Sequence, residues 1–251
     1  MPTTLPVSVP GPDLEASASA ALRVRRAFTL SGVVPLGAFI VLHLALNARA
    51  LWGGWAFVGT VDALHRIPGL PLVEALLVFA PLLFHGALGL WLVATRTTLA
   101  PPAPYPRGMR IAMRASGVGV LAFLALHLPA IRFHLRATRL GGGELATLLD
   151  AQLSTTWHGV PWQGLVYLAG TACVTLHFVC GLWGVYATSR AGHDSARHRR
   201  RAAWGALVLG LLMWATFADV VVLRATGAAF VGGDSPPPAS RPCPSPESSA
   251  P

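Results

Sequence analysis

Five apolar runs, each about 20 residues or longer, take up most of this 251-residue chain. A helix needs about that length to cross an apolar core of ~30 Å. Inside such a core each backbone N–H and C=O must be paired within the protein, and a helix does this within its own segment. The runs are roughly Ala27–Asn47, Leu70–Thr95, Ile111–Phe133, Trp162–Thr188 and Ala202–Leu223. Charge agrees with this reading. Only 12% of residues are charged and mean hydropathy is +0.56, where a soluble domain is about a quarter charged. The expected fold class is an all-α membrane protein: five transmembrane helices, four of them forming a bundle and the fifth added to it.

Residues 1–22 and 226–251 are rich in Pro, Ser and Ala. They are expected to be disordered tails around a membrane domain at 23–225. A secretory signal is not expected, because the first apolar run is too long and lacks a small-residue cleavage site. All nineteen basic residues are Arg. They sit at the ends of apolar runs, which argues for membrane topology and against a nucleic-acid partner. Twelve lie before span one, between spans two and three, and between spans four and five; seven lie on the other side. The positive-inside rule therefore puts the N-terminus in the cytoplasm and the C-terminus outside. Two longer loops, 48–69 and 134–161, face out, and Trp52, Trp55, Trp157 and Trp162 flank them as interface anchors would. Asp62, Glu144 and Asp150 in these loops read as solvated residues. Cys173, Cys180 and Cys243 form no CxxC or CxxCH, so neither a zinc ribbon nor a covalent c-type haem is indicated. Cys173 and Cys180 read as small packing hydrophobes.

The polar residues inside the spans are duplicated. HGALGLW at 85–91 returns as HFVCGLW at 177–183, and SGVVPLGAFIVLHL of span one returns, with one residue fewer, as SGVGVLAFLALHL of span three. Helices one and two thus repeat as helices three and four, a parallel repeat of a kind found in membrane proteins. Depth sorts the four histidines. His43 stands six residues before Arg49 and His127 five before Arg132, which is ~8–9 Å from the outer ends at ~1.5 Å per residue. His85 is fourteen residues past Pro71 and His177 sixteen past Pro161, ~21–24 Å from the outer ends. The pairs are His43 with His127 outside and His85 with His177 inside.

One histidine in a membrane helix is ordinarily a hydrogen-bonded helix contact. Four, duplicated and matched in depth, suit two haem b groups, whose iron takes axial imidazoles and whose flat ring fills the space between helices. A single four-histidine metal site is disfavoured, because the pairs lie ~12 Å or more apart along the normal. Gly86, Gly89, Gly117, Gly119, Gly181 and Gly184 are expected to leave room for the rings. The glycine of HxxxGLW shares its histidine's face, while the tryptophan points elsewhere. His65, His134, His158, His193 and His198 lie in loops or at span ends and read as surface residues.

In these residues the chain resembles the di-haem cytochrome b membrane subunit of succinate:menaquinone oxidoreductases and quinol:fumarate reductases. The resemblance rests on four histidines in this order on the first four helices, with HxxxGL on helices two and four. It covers roughly residues 23–225. It implies His43 and His127 as distal ligands and His85 and His177 as proximal ones. It implies two haem b cofactors, quinone (menaquinone) as substrate, and a bacterial cytoplasmic membrane. The implied partners are an iron–sulfur subunit on the cytoplasmic face and a flavoprotein with covalent FAD. The chain itself would bind no dicarboxylate. One departure counts. Proton-moving fumarate reductases of the family carry a glutamate two residues before the fourth ligand, and here Thr175 stands there. Threonine cannot relay a proton by ionising, which argues against that path and towards succinate oxidation.

Haem propionates need cationic or hydroxyl partners, and Ser31, Arg26, Arg114 and Arg190 at the inner helix ends are the candidates, beside the alternative that each arginine meets lipid phosphate. For quinone, the acidic residues at membrane depth are Glu74 and Asp219; Asp219 could donate a proton or pair with Arg224. Two other readings stay open on sequence grounds. One is a di-haem anchor of a hydrogenase, formate dehydrogenase or nitrate reductase, whose histidines usually fall differently. The other is a haem-free scaffold or transporter with helix-packing histidines.

Overall fold

A computed structural model describes residues 12–96, 107–133, 141–188 and 196–228, and these are helical almost throughout. Five helices are long and apolar enough to cross a membrane: Ser19–Trp52, Leu70–Ala94, Arg107–Ile131, Trp162–Ala187 and Ala196–Thr226. They coincide with the expected runs. Helices one to four form a ring in which each touches the next, helix four returning to helix one; helix five lies along helix four and also meets helix one. Trp52, Trp55, Trp157 and Trp162 are all exposed, as interface anchors should be. Helix two has no buried residue, so its outer face of Leu72, Leu76, Leu77 and Leu83 is left to lipid or to another protein.

Helical structure extends beyond the five expected spans. Helix one begins at Pro12, inside the stretch assigned to a tail. Pro at the first helical position, acidic Asp13 and Glu15 in the first turn and a following Ala-rich run are all helix-start chemistry. Each of the two outer loops carries a helix, Gly54–His65 and Gly142–Ser154. These two helices pack together around Phe57 and Leu145, against Ala50, Ile131 and Leu223. Three residues read as solvated hold them. Asp62 Oδ1 accepts from the Gly142 amide at 2.8 Å. Glu144 accepts from the Gly141 amide at 2.9 Å and caps its own helix. Asp150 takes Arg224 Nη1 at 2.9 Å, and the Arg224 guanidinium also lies 4.3 Å from the centre of the Phe57 ring. Arg224 therefore pairs with Asp150.

Three membrane helices contain π turns: Gly32–Leu36, Ala75–Phe79 and Leu128–Phe133. Pro35 lies within the first, Pro81 just past the second and Pro129 within the third. A helix-interior proline lacks an N–H and crowds the carbonyl four residues back, and a wider turn relieves both faults. The first π turn also resolves the imperfect repeat. Ser31 and His43 are one residue further apart than Ser116 and His127. A π turn absorbs one extra residue and keeps the downstream side chains on their face. Helix three is regular α from Arg107 to His127.

Candidate haem-binding site

The ring of helices brings the four histidines together in the two expected pairs. His85 and His177 face each other with ring centres 6.1 Å apart and planes at 83°. His43 and His127 do so at 6.1 Å and 82°. A metal–imidazole bond is about 2 Å, and the ring centre lies about 1 Å beyond the nitrogen, so two axial imidazoles on one ion should have centres roughly 6 Å apart. Both pairs meet that requirement. Helices two and three also line an apolar groove of about 560 Å³ at Leu82, Gly86, Ala87, Leu121 and Ala125, among others, and none of the four histidines lines it. The donor set and its spacing suit haem.

The histidines of the inner pair are held identically. His85 Nδ1 donates to the Phe28 carbonyl at 3.0 Å, with Ser31 Oγ at 3.3 Å. His177 Nδ1 donates to the Met113 carbonyl at 3.1 Å, with Ser116 Oγ at 3.4 Å. Each serine donates to the same carbonyl, at 2.8 and 3.2 Å. A carbonyl only accepts, so the proton must sit on Nδ1, which leaves Nε2 bare to bind a metal. Such an acceptor behind the ligand is the usual companion of metal-bound histidine. Ser31, expected at a propionate, lies beside the His85 ring. Arg190 lies outside the described residues, as do His134, His193 and Cys243. Arg26 and Arg114 are exposed, each within its helix rather than at the end of it.

The glycine that most directly makes room is Gly32, which sequence reading missed. A Cβ there would stand 2.5 Å from His85 Cε1, and one on Gly117 would stand 2.9 Å from His177 Cε1. Both follow the serine in the repeated Ser-Gly-Val, and that repetition was the available signal. The HxxxGLW glycines lie against other side chains. A Cβ at Gly89 would meet the Phe28 ring at 3.7 Å and one at Gly181 the Met113 methyl at 3.9 Å. They face the residues whose carbonyls hold the histidines. Gly119 accommodates the Cys173 side chain. The tryptophans diverge: Trp183 is buried beside helix five, and Trp91 is half exposed.

In the outer pair each histidine stacks on a phenylalanine four residues earlier. Phe39–His43 and Phe123–His127 are both 5.3 Å between centres, the i, i+4 neighbours of one helical face. His127 Nδ1 lies 3.2 Å from Tyr167 Oη. Thr175 is buried, and its hydroxyl donates back to the Thr171 and Ala172 carbonyls of its own helix. Asp219 is buried on helix five and Glu74 lies at the start of helix two.

A curated relative shares this sequence over most of its length. The chain is 27% identical over 165 residues, 65% of this chain and 78% of the relative, to the succinate dehydrogenase cytochrome b558 subunit of Bacillus subtilis (strain 168). The chain is similar to a succinate dehydrogenase cytochrome b. No protein-family model matches it, and no solved structure does. The similarity bears out the resemblance first carried by the histidines. With the five apolar helices, it makes this chain a multi-pass bacterial membrane protein.

Proposed function

We propose that this chain is the membrane anchor and electron-transfer subunit of a succinate:quinone oxidoreductase. The observation that carries the proposal is the pair of matched imidazole pairs, each drawing one histidine from each half of the repeat at a separation that suits one iron. His85 and His177 hold the inner haem b and His43 and His127 the outer. Bound there, the two groups supply one-electron transfer between the two faces of the membrane. The protein's part is positional. Ser31, Ser116 and the Phe28 and Met113 carbonyls fix the Nδ1 proton and turn Nε2 inward. Gly32 and Gly117 admit the imidazole edges. The apolar helices keep bulk water from the centres, and the helices at 54–65 and 142–154 cover the outer end.

The Arg-rich face, with the N-terminus, is cytoplasmic in this reading. It receives an iron–sulfur subunit, which takes electrons from an FAD flavoprotein acting on succinate. The chain passes them to membrane quinone, menaquinone by resemblance. Thr175, bonded within its own helix, offers no ionisable carrier, so succinate oxidation without a proton relay at that position is the favoured direction. The test is a dithionite-reduced minus air-oxidised spectrum of the purified chain, with pyridine haemochrome quantification. About two low-spin b haems per chain are expected. A folded preparation free of haem would sink the proposal and leave the histidines as packing residues.

A further inference from the structure

The two histidine pairs match in spacing and angle, yet the groups behind their rings differ. In the inner pair both Nδ1 atoms point at a backbone carbonyl and a serine oxygen. In the outer pair His127 Nδ1 faces a phenol, Tyr167 Oη at 3.2 Å. Tyr167 comes from helix four, ten residues before His177. The matching place in the first repeat, allowing for the extra residue of the Ala75–Phe79 π turn, is Glu74, which has a carboxyl and no phenol. The phenol is therefore a feature of one half only. It is also firmly placed. The Tyr167 ring meets the Phe123 ring edge-on at 5.3 Å and 88°, and Phe123 in turn stacks on His127. The Tyr167 and His127 rings lie 5.6 Å apart at 71°. Three rings thus brace one another around a single imidazole.

We infer that Tyr167 is a positioning residue that sets the orientation and donor strength of His127, and through it the potential of the outer centre alone. This rests on the haem reading above. An imidazole bound through Nε2 keeps its proton on Nδ1, so Nδ1 donates and the phenol oxygen accepts. An acceptor behind a ligand raises its basicity and stabilises the more positively charged iron, which lowers the midpoint potential. Carbonyls do this for both inner ligands, and Tyr167 does it for His127.

The test is Tyr167→Phe, which keeps the bracing ring and removes only the oxygen. Full-length parent and variant are titrated potentiometrically while the b-type absorbance is followed, and the outer wave is assigned as the one His127→Ala abolishes. The expected result is a positive shift of that wave, with the other unmoved and haem content near the parental value. Selective loss of the outer haem, with the inner wave in place, supports the same role. The inner wave serves as the internal control for folding. Two unmoved waves, or both displaced together, overturn the inference. A parent chain without haem instead overturns the reading beneath it, so the two failures are told apart.

Discussion

At the scale of single residues, the site depends on space as much as on ligands. The Ser-Gly dipeptides at 31–32 and 116–117 hold a histidine with one residue and make way for it with the next. Gly32→Ala puts a methyl 2.5 Å from His85 Cε1, and Gly117→Ala one 2.9 Å from His177 Cε1. Each exchange favours its helix by about 1 kcal/mol, so helix melting cannot explain a loss of cofactor. Haemochrome assay of either variant is expected to fall from about two haems to about one, with the outer-pair spectrum kept. Two haems with parental spectra would mean that the imidazoles shift without cost. Ser31→Ala should be milder, about 1 kcal/mol for one lost hydrogen bond, because the Phe28 carbonyl still accepts from His85.

The four histidines were readable from sequence because a polar side chain in an apolar run costs too much to be incidental. Their depth came from counting residues to the span ends. Gly32 was not read, because the space it makes belongs to a histidine 53 positions away on another helix. Local spacing records which residues share a face and does not record what that face meets. Tyr167 was missed for the same reason. Asp150 and Arg224 are 74 positions apart, and nothing near either predicts their pairing.

At the scale of elements, the π turns decide where the histidines point. Helix one carries an extra residue between Ser31 and His43 and releases it at Gly32–Leu36. Deleting Val34, which is 59% exposed, gives helix one the serine–histidine spacing of helix three. The turn is expected to tighten toward α, and both haems to remain. Helix three has no such slack between Ser116 and His127. Deleting Leu121 there rotates the rest of the helix by about 100°, turning His127 away from His43 or Ser116 away from His177. Haem content and the two redox waves of the deletions check this, and equal loss in both would show that the π turn gives no tolerance. The spans themselves were legible because length and hydropathy suffice to mark them. The loop helices were not, because their apolar residues are few and find partners only in each other and in the ends of the membrane helices.

At the scale of the whole molecule, orientation can be checked directly. With the Arg-rich side in the cytoplasm, and with Cys243 of the outer tail replaced by serine, a cysteine introduced at Trp55 or Trp157, both well exposed, should react with a membrane-impermeant maleimide in intact cells. One at Arg107 should react only after lysis. The reverse pattern would invert the proposed topology and place the iron–sulfur partner on the other face.

The repeat has one more consequence. Helices one and two supply His43 and His85, and helices three and four supply His127 and His177, so neither half owns a complete pair of ligands. A chain severed between Arg96 and Arg107 becomes two polypeptides that are each blind to the cofactor. Expressed together, residues 1–100 and 101–251 should reassemble and turn red; expressed singly, each should stay colourless. The cofactor would then act as the clasp between two ancestral modules, and covalent continuity as a later convenience.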